Sequence, residues 1–240
     1  MNNVKALSFD LDDTLYNNVP VIKNAFLELY NYLITNFPEV ALKYSFDDFI
    51  HAAKTLKSSL PNTANLNQLR RLHIQKILST SGYENSEHHA SSEKAFDVFW
   101  QARQKVTLFP SVHKILKILS DKLPLVAISN GNACIKIIGI DQYFKFSISA
   151  SDTGKPKPHS SMFLLACEKL EIEPEQLVHI GDNIQHDVNG AKLAGCRAIW
   201  FNQHSVQENN PEVENTGVEN NNADGVIEQL SALLTYDFNN

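Results

Sequence analysis

The sequence predicts an α/β fold in which a parallel sheet, covered by helices on both faces, carries a helical domain inserted after its first strand. The first observation is a short apolar stretch near the N-terminus, which has the pattern of a buried central strand. The second is helical periodicity without a convincing strand over residues 17–106. The third is the alternation of strand and helix patterns from residue 107 onward. We therefore assign 1–16 and 107–240 to the α/β core and 17–106 to the inserted helical domain.

The first strand is predicted at residues 4–9, where apolar side chains predominate, and it ends in Asp10, Asp12 and Asp13. Unpaired carboxylates in such a dry position would each cost several kcal/mol. A hard cation with oxygen ligands is therefore expected among them, Mg²⁺ before any other. Asp10 and Asp12 are two residues apart, so in extended backbone their side chains point to one side and can share a reacting centre.

Four helices are predicted in the inserted domain from apolar residues at helical spacing. The corresponding stretches are 22–33, 46–56, 66–78 and 96–103. Ser45 has the position of an N-cap residue before the second helix, and Gly82 has that of a C-cap residue after the third. Residues 16–20, ahead of the first helix, have the composition of a turn.

Strands and helices alternate in the second half of the chain. Predicted strands lie at 125–128, 146–148, 177–180 and 196–201, and predicted helices at 112–119, 163–170, 188–194 and 226–234. The last helix is amphipathic and is expected to dock on the sheet. Residues 203–224 are rich in Asn and Glu and contain few apolar residues, which predicts a mobile loop without a chemical role.

Composition and charge exclude several function classes. The chain has 240 residues with 43% apolar, which is sufficient for a core domain with an insertion. Its net charge of -6, without a cluster of Lys and Arg, argues against a nucleic-acid binder. No leader and no bilayer-spanning apolar run is recognisable, and Cys134, Cys167 and Cys196 are too widely spaced for a zinc site. We expect a cytoplasmic monomer or homodimer that binds neither nucleic acid nor membranes.

Polar clusters follow four of the predicted strands at their carboxyl ends. They are Asp10 with Asp12, Ser129 with Asn130, Lys157, and Asp182 with Asp187. In an open parallel sheet the ligand site lies at this edge, so clusters that are distant in the sequence are expected to converge there. One such cluster would be weak evidence, but four in the same topological position predict an active site.

These clusters resemble the four motifs of the haloacid dehalogenase (HAD) superfamily. The motifs in this chain are Asp10-Leu11-Asp12-Asp13-Thr14, Ser129-Asn130-Gly131, Lys157-Pro158, and Gly181-Asp182 with Asp187. The resemblance extends over essentially the whole chain apart from the Asn-rich loop. It implies a Rossmann-like core with a helical C1 cap domain, which in the family closes over small substrates.

The lysine motif occurs twice, because Lys155 and Lys157 both precede a proline. The family pattern places the lysine three residues after a glycine and six before an aromatic residue at the start of a helix. Gly154 and Phe163 both select Lys157 by this spacing. Lys155 is then expected to be a surface neighbour.

The resemblance also implies roles for individual residues. Asp10 is expected to be the nucleophile that forms an aspartyl-phosphate, and Asp12 the general acid and base. Ser129 and Lys157 are expected to stabilise the phosphoryl group, with substrate contacts also from Thr14, Asn130, Gly131 and Lys157. The implied Mg²⁺ site consists of Asp10, Asp12 through its backbone carbonyl, Asp182 and Asp187, and the role implied for Asp187 is to orient Lys157 or a metal-bound water.

Asp12 narrows the implied chemistry to a phosphatase or phosphomutase, because the dehalogenases of the family lack an acid at that position and its ATPases carry threonine. Finer features resemble the bacterial flavin mononucleotide (FMN) phosphatases, which also hydrolyse 5-amino-6-(5-phospho-D-ribitylamino)uracil. These features are found at residues 12–18, 129–132, 157–162 and 178–182. The alternatives are a promiscuous sugar-phosphate or nucleotide phosphatase, a β-phosphoglucomutase-like phosphomutase and a catalytically silent binding protein.

Overall fold

A computed structural model of the chain describes residues 3–59, 66–83, 85–203 and 222–238, with only the backbone of 85–89. The chain divides into two compact units, one formed by Met1–Asn17 with Thr107–Asn240 and the other by Asn18–Val106. Within the described ranges, no helix combines the length and the apolar character needed to cross a membrane.

The first unit is built on a six-stranded sheet in which each paired strand runs parallel to its neighbour. The strands are β1 (Ala6–Phe9), β2 (Leu125–Ser129), β3 (Phe146–Ser149), β4 (Leu177–Gly181), β5 (Arg197–Phe201) and β6 (Gly225–Ile227). Their spatial order is β3-β2-β1-β4-β5-β6. Every residue of β1, β2 and β4 is buried, which explains their near-continuous apolar sequences. The predicted α/β fold with a parallel sheet is confirmed.

The strand order places the carboxyl ends of β1, β2 and β4 next to one another at one edge of the sheet. Phe9 of β1 pairs with Ala127 of β2 and with Ile180 of β4. From β1 the chain proceeds to β2 and β3 on one side and to β4, β5 and β6 on the other, so the direction of winding changes beside β1. Ligands of open α/β sheets bind outside the carboxyl ends of the strands at such a switch point.

Helices and short helical turns connect the strands of this unit. The α-helices are α6 (Val112–Ser120), α7 (Ile135–Ile138), α8 (Ala150–Thr153), α9 (Ser161–Leu170) and α10 (Gly190–Leu193), numbered after five in the other unit. A π-helix spans Ile184–Asn189, and 3-10 turns span Asp141–Tyr143, Pro174–Gln176 and Leu230–Thr235. Met162 and Phe163 of α9 pack into the apolar core on one face of the sheet.

The prediction of a helix at residues 226–234 is wrong. Residues Gly225–Ile227 form the edge strand β6, which pairs with β5, and only Leu230–Thr235 form a helical turn. The apolar spacing fits a helix, but pairing with β5 satisfies backbone groups that would otherwise lie unpaired at the sheet edge. Asp224 lies at the end of the predicted 203–224 loop and accepts hydrogen bonds from Lys192 Nζ (2.8 Å) and Ala198 N (2.9 Å). Residues 204–221 of that predicted loop lie outside the described ranges.

The second unit is helical, and the four predicted helices are confirmed. Its helices are α1 (Asn18–Asn36), α2 (Glu39–Lys43), α3 (Phe46–Ser58), α4 (Leu66–Thr80) and α5 (Asn85–Arg103). Helix α2 has only five residues and was not predicted. Helix α1 begins within the predicted turn, because Pro20 lies in its first turn, where a missing N–H breaks no helical hydrogen bond.

Both predicted caps of this unit are confirmed. Ser45 and Asp48 form a capping box at the start of α3 through reciprocal hydrogen bonds between side chain and backbone. Gly82 adopts a φ of 94° after α4, and the Tyr83 amide donates to the Leu78 carbonyl oxygen at 3.1 Å. This bond terminates the helix in the manner of a Schellman motif.

Candidate active site

Asp10 and Lys157 form a buried ion pair at the carboxyl end of β1. The side chain of Asp10 is 10% exposed and that of Lys157 is 2% exposed. Lys157 Nζ lies 2.6 Å from Asp10 Oδ1, 2.5 Å from Asp187 Oδ1 and 2.8 Å from the Ile128 carbonyl oxygen. The three N–H groups of the ammonium are thereby all used. Lys155 is exposed, so of the two candidate lysines the structure brings only Lys157 to the predicted site.

The loop that carries Lys157 is held by Asn130, which directly follows β2. The Lys157 amide donates to Asn130 Oδ1 at 2.7 Å, and Asn130 Nδ2 donates to the Lys157 carbonyl oxygen at 3.0 Å. Asn130 is among the residues expected to contact substrate, and its side chain holds the lysine loop in place. Ser129 Oγ accepts a hydrogen bond from the Gly131 amide at 3.0 Å, so both residues line the same cavity in a fixed arrangement.

Asp12 is held by a tyrosine whose role the sequence did not reveal. The Tyr16 hydroxyl donates to Asp12 Oδ1 at 2.5 Å, and the Tyr16 side chain is fully buried. An isolated bridge between the two residues closes the loop. The sequence contained one indication of this contact, because Tyr16 lies four residues after Asp12. Packing alone also explains a buried tyrosine in a turn, so the spacing did not predict the hydrogen bond.

Thr14 and Trp200 hold Asp182 from two sides. Thr14 Oγ1 donates to Asp182 Oδ1 at 3.1 Å, and Trp200 Nε1 donates to the Asp182 carbonyl oxygen at 2.8 Å. Thr14 is among the residues expected to contact substrate, and its hydroxyl links the loop after β1 to the loop after β4. Trp200 was not predicted, because only the neighbouring position of β5 in the sheet brings it to this loop.

Asp187 lies on the π-helix and points back toward the end of β4. Its Oδ1 accepts from Lys157 Nζ and lies 3.2 Å from His179 Nε2, and its Oδ2 accepts from the Asn183 amide at 2.9 Å. A Cβ atom at Gly181 would overlap the Asp187 side chain. The glycine of the fourth motif is therefore required by the close approach of this carboxylate.

Replacing Gly181 by alanine is expected to displace Asp187 and to lower the free energy of unfolding by about 1–3 kcal/mol, the range typical of overpacking. The physical reason is that the new methyl group occupies the position of the Asp187 side chain, which has no room to retreat from Lys157 and His179. Equilibrium urea unfolding of both proteins measures the difference. Unchanged stability of Gly181→Ala would contradict this packing.

The carboxylates of three residues converge as a candidate metal site. One oxygen from each of Asp10, Asp182 and Asp187 lies within 4.8 Å of the others. They border an open cavity of about 150 Å³ whose lining includes five aspartates and one lysine. The lining residues are Asp10, Asp12, Asp13, Ser129, Asn130, Gly131, Lys157, Asp182, Asn183, His186 and Asp187. This excess of oxygen ligands over positive charge fits a hard divalent cation such as Mg²⁺.

The pKa directions agree with such a cation site. Burial raises the pKa of Asp10 well above its ordinary value, and the neighbouring aspartates add to the effect although Lys157 opposes it. Burial, followed by the charge of Asp187, raises the pKa of Asp182 to about 7. Burial also disfavours charge on Asp187, but Lys157 and His179 outweigh it and hold its pKa below the ordinary range. A cation beside Asp10 and Asp182 would therefore stabilise carboxylates that the protein alone leaves poorly compensated.

Known proteins resemble this chain along most of its length. A family model described as haloacid dehalogenase-like hydrolase matches residues 4–195. The 5-amino-6-(5-phospho-D-ribitylamino)uracil phosphatase YigB of Escherichia coli (strain K12) is 32% identical over 202 residues, which are 84% of each chain. The N-acylneuraminate-9-phosphatase of Homo sapiens is 23% identical over 86% of each chain. The crystal structure of a 2-haloacid dehalogenase from Pseudomonas syringae pv. Tomato DC3000 superposes with a TM-score of 0.82 at 31% identity over 97% of each chain.

The family match covers the strand that carries Asp10 and extends beyond the π-helix that carries Asp187. All four motif loops therefore lie inside it, and their side chains meet in one cavity. Together with relatives that are named phosphatases, this makes the chain an enzyme of the haloacid dehalogenase-like hydrolase family, of the phosphatase type.

Proposed function

We propose that this protein is a Mg²⁺-dependent phosphomonoester hydrolase that acts through an aspartyl-phosphate on Asp10. The observation that carries the proposal is the position of Asp10, buried beside the Lys157 ammonium and among converging carboxylates at the carboxyl end of the sheet. Asp10 Oδ1 accepts from Lys157, so we assign the attack on phosphorus to Oδ2. The Lys157 ammonium neutralises negative charge that grows on the phosphoryl oxygens.

Asp12 is assigned the two proton transfers. In the first step, the bond from Asp10 to phosphorus forms, the bond from phosphorus to the ester oxygen breaks, and Asp12 protonates the departing oxygen. In the second step, Asp12 takes a proton from water, whose oxygen attacks phosphorus and releases inorganic phosphate from Asp10. Asp12 Oδ1 accepts from the Tyr16 hydroxyl, which holds this carboxyl group in place for the two transfers.

Ser129 and the backbone after it are assigned to the phosphoryl oxygens. Ser129 Oγ accepts from the Gly131 amide, so its own O–H can donate to substrate. The side chain of Asn130 is used by the Lys157 loop, which supports a contact through its backbone N–H. We assign Thr14 to holding the loop after β1, because its hydroxyl donates to Asp182.

The residues proposed to hold Mg²⁺ are Asp10, Asp182 and the backbone carbonyl of Asp12. When bound, the ion supplies positive charge that neutralises both the nucleophile and the phosphate. Asp187 Oδ1 already accepts from Lys157 and lies near His179, whereas Oδ2 accepts from the Asn183 amide. This supports Asp187 as a residue that orients Lys157 and accepts a hydrogen bond from a metal-bound water.

The substrate is proposed to be FMN or 5-amino-6-(5-phospho-D-ribitylamino)uracil, as part of riboflavin biosynthesis. The proposal is supported by the relative that is named for the latter compound, which is 32% identical over 84% of the chain. The cavity of about 150 Å³ suits the phosphoryl end of such a molecule, whose remainder must lie outside it. We also propose a cytoplasmic location, since the buried residues Cys167 and Cys196 form no disulfide.

Dehalogenation is the contrasting chemistry within the family, because one similar structure is named 2-haloacid dehalogenase. Asp12 weighs against it, because its carboxyl group supplies a proton donor that a phosphate ester needs and a carbon–halogen bond does not. Halide release from 2-haloacids is therefore included in the test below.

We expect Mg²⁺-dependent release of inorganic phosphate from a panel of FMN, the ribitylaminouracil phosphate, sugar phosphates and nucleotides. Activity should disappear with a chelator and return with Mg²⁺, because the carboxylate cluster lacks sufficient positive charge by itself. The highest kcat/KM should fall on one of the two riboflavin-related compounds. Phosphate and halide are measured in parallel.

Each other outcome contradicts a specific part of the proposal. Comparable rates on all phosphate esters would favour a promiscuous phosphatase over the riboflavin assignment. Transfer that requires a bisphosphate activator would favour a phosphomutase. Halide release without phosphate release would favour dehalogenation, and binding of metal without any turnover would favour a binding protein.

A further inference from the structure

Behind Asp187, on the side away from the cavity, lies a buried polar pair that the proposed mechanism does not use. His179 of β4 and Ser8 of β1 are register partners on adjacent strands, and both are fully buried. Ser8 Oγ lies 2.9 Å from His179 Nδ1, and His179 Nε2 lies 3.2 Å from Asp187 Oδ1. A continuous series of polar contacts therefore connects Ser8 through His179 and Asp187 to Lys157 and Asp10.

The chemistry of the partners determines the direction of each hydrogen bond. Asp187 Oδ1 already accepts from the Lys157 ammonium, and a carboxylate can only accept, so we assign Nε2 of His179 as the donor to Oδ1. The imidazole is fully buried between Ser8 Oγ and Asp187 Oδ1, and the Lys157 ammonium donates to the same Oδ1. In a neutral ring, a proton on Nε2 leaves Nδ1 as the acceptor for the Ser8 hydroxyl.

Apolar neighbours also restrict the position of the imidazole. The Phe163 ring packs against His179 in an edge-to-face arrangement, with centroids 5.0 Å apart and an interplanar angle of 80°. Ala6 and Leu177, two residues before Ser8 and His179 on the same face of the sheet, belong to the apolar core. The polar pair thus interrupts an apolar face at the place where Asp187 approaches it.

We propose that His179 and Ser8 are positioning residues: Ser8 selects the Nε2–H tautomer of His179, which holds Asp187 against Lys157 and thereby Lys157 against Asp10. Neither residue touches substrate. The expected effect on turnover rests on the proposed phosphatase function. The tautomer of His179 and the position of Lys157 do not depend on that function. Outer partners of this kind typically contribute 10–100-fold to activity.

Three substitutions test the proposal in the full-length protein. His179→Leu removes the donor to Asp187 and keeps an apolar side chain, and we expect kcat to fall by about 10–100-fold with little change in KM. His179→Gln retains an N–H donor near the position of Nε2 and should recover much of this loss. Ser8→Ala should reduce kcat less than His179→Leu, because Nε2–H remains accessible as one of two tautomers. The control is Val178→Ala, a buried change on the opposite face of β4 that should lower thermal stability but not kcat.

Nitrogen NMR of the imidazole and of the lysine ammonium provides a readout independent of turnover. In the wild type, His179 should be the neutral Nε2–H tautomer, and Ser8→Ala should raise the Nδ1–H population. In His179→Leu, the Lys157 ammonium protons should exchange faster with solvent than in the wild type. These two signals remain measurable even if the wild type hydrolyses no phosphate ester, so failure of the proposed function is distinguished from failure of this inference.

Three results would overturn the inference. The first is an Nδ1–H tautomer or a charged imidazole in the wild type. The second is equal kcat in His179→Leu and Val178→Ala at matched stability, which would make His179 a packing residue only. The third is unchanged exchange of the Lys157 ammonium protons in His179→Leu, which would show that Asp187 holds its position without His179.

Discussion

Replacing Asp10 by asparagine is expected to abolish turnover, with a loss in kcat on the order of 10⁴-fold or more. The amide has nearly the same shape as the carboxylate but cannot attack phosphorus. It can still accept a hydrogen bond from Lys157, whose other two partners, Asp187 and the Ile128 carbonyl oxygen, are unchanged. Release of inorganic phosphate under saturating substrate and Mg²⁺ measures the loss.

The fold of Asp10→Asn should survive, because burial already disfavours charge at this position and the pKa of Asp10 is raised accordingly. The matched control is Asp121→Asn, which removes a surface carboxylate that pairs with Lys117 and should leave kcat unchanged. Circular dichroism and a thermal scan establish that both variants are folded. Retention of more than about a tenth of wild-type kcat in folded Asp10→Asn would exclude Asp10 as the nucleophile.

Replacing Lys157 by methionine is expected to affect stability and activity together. Methionine fills most of the same volume, but it leaves the buried carboxylates of Asp10 and Asp187 without their ammonium partner. Removal of one member of a buried ion pair costs about 3–5 kcal/mol in the free energy of unfolding. We also expect kcat to fall by at least about 10²–10³-fold, because the charge that stabilises the phosphoryl oxygens is lost.

The loss of stability in Lys157→Met should depend on pH. The pKa of Asp187 is held low in the wild type, so this carboxylate contributes stability that is present above the ordinary aspartate pKa and is lost at more acidic pH. Without Lys157, the buried carboxylates can take up protons as the pH falls. The difference in unfolding free energy between wild type and variant should therefore be largest near neutral pH and shrink as the pH approaches about 4.

Lys155→Met is the matched control, because Lys155 is two residues away in the same loop and exposed. Its stability should differ from the wild type by no more than about 0.5 kcal/mol, and its kcat should be unchanged. Urea unfolding at several pH values, without added Mg²⁺, measures both variants. A pH-independent cost in Lys157→Met, or an equal cost in Lys155→Met, would contradict the role of the buried ammonium.

Local patterns in the sequence were sufficient for the elements that are stabilised by short-range interactions. The strands ending before Asp10 and at Ser129 followed from apolar runs, and the N-cap at Ser45 followed from its position directly before a helical pattern. Because parallel strands present their carboxyl ends at one edge, the same patterns predicted that the aspartates and Lys157 would meet. The family resemblance added the choice of Lys157 over Lys155, which the burial of Lys157 supports.

The tertiary structure decided the contacts that depend on elements distant in the chain. The hydrogen bond from Tyr16 to Asp12 depends on the path of the turn between them. The contact between His179 and Asp187 depends on the Asp187 carboxylate, which lies directly over Gly181. The edge strand at Gly225–Ile227 was not predicted for the same reason. The spacing of its apolar residues also fits a helix, and only pairing with the backbone of β5 makes it a strand. The sequence by itself predicted which residues would converge at the edge of the sheet, since motif spacing and strand ends are local properties. Only the tertiary structure determined which groups orient them, because hydrogen-bond partners of buried side chains are selected by packing in three dimensions.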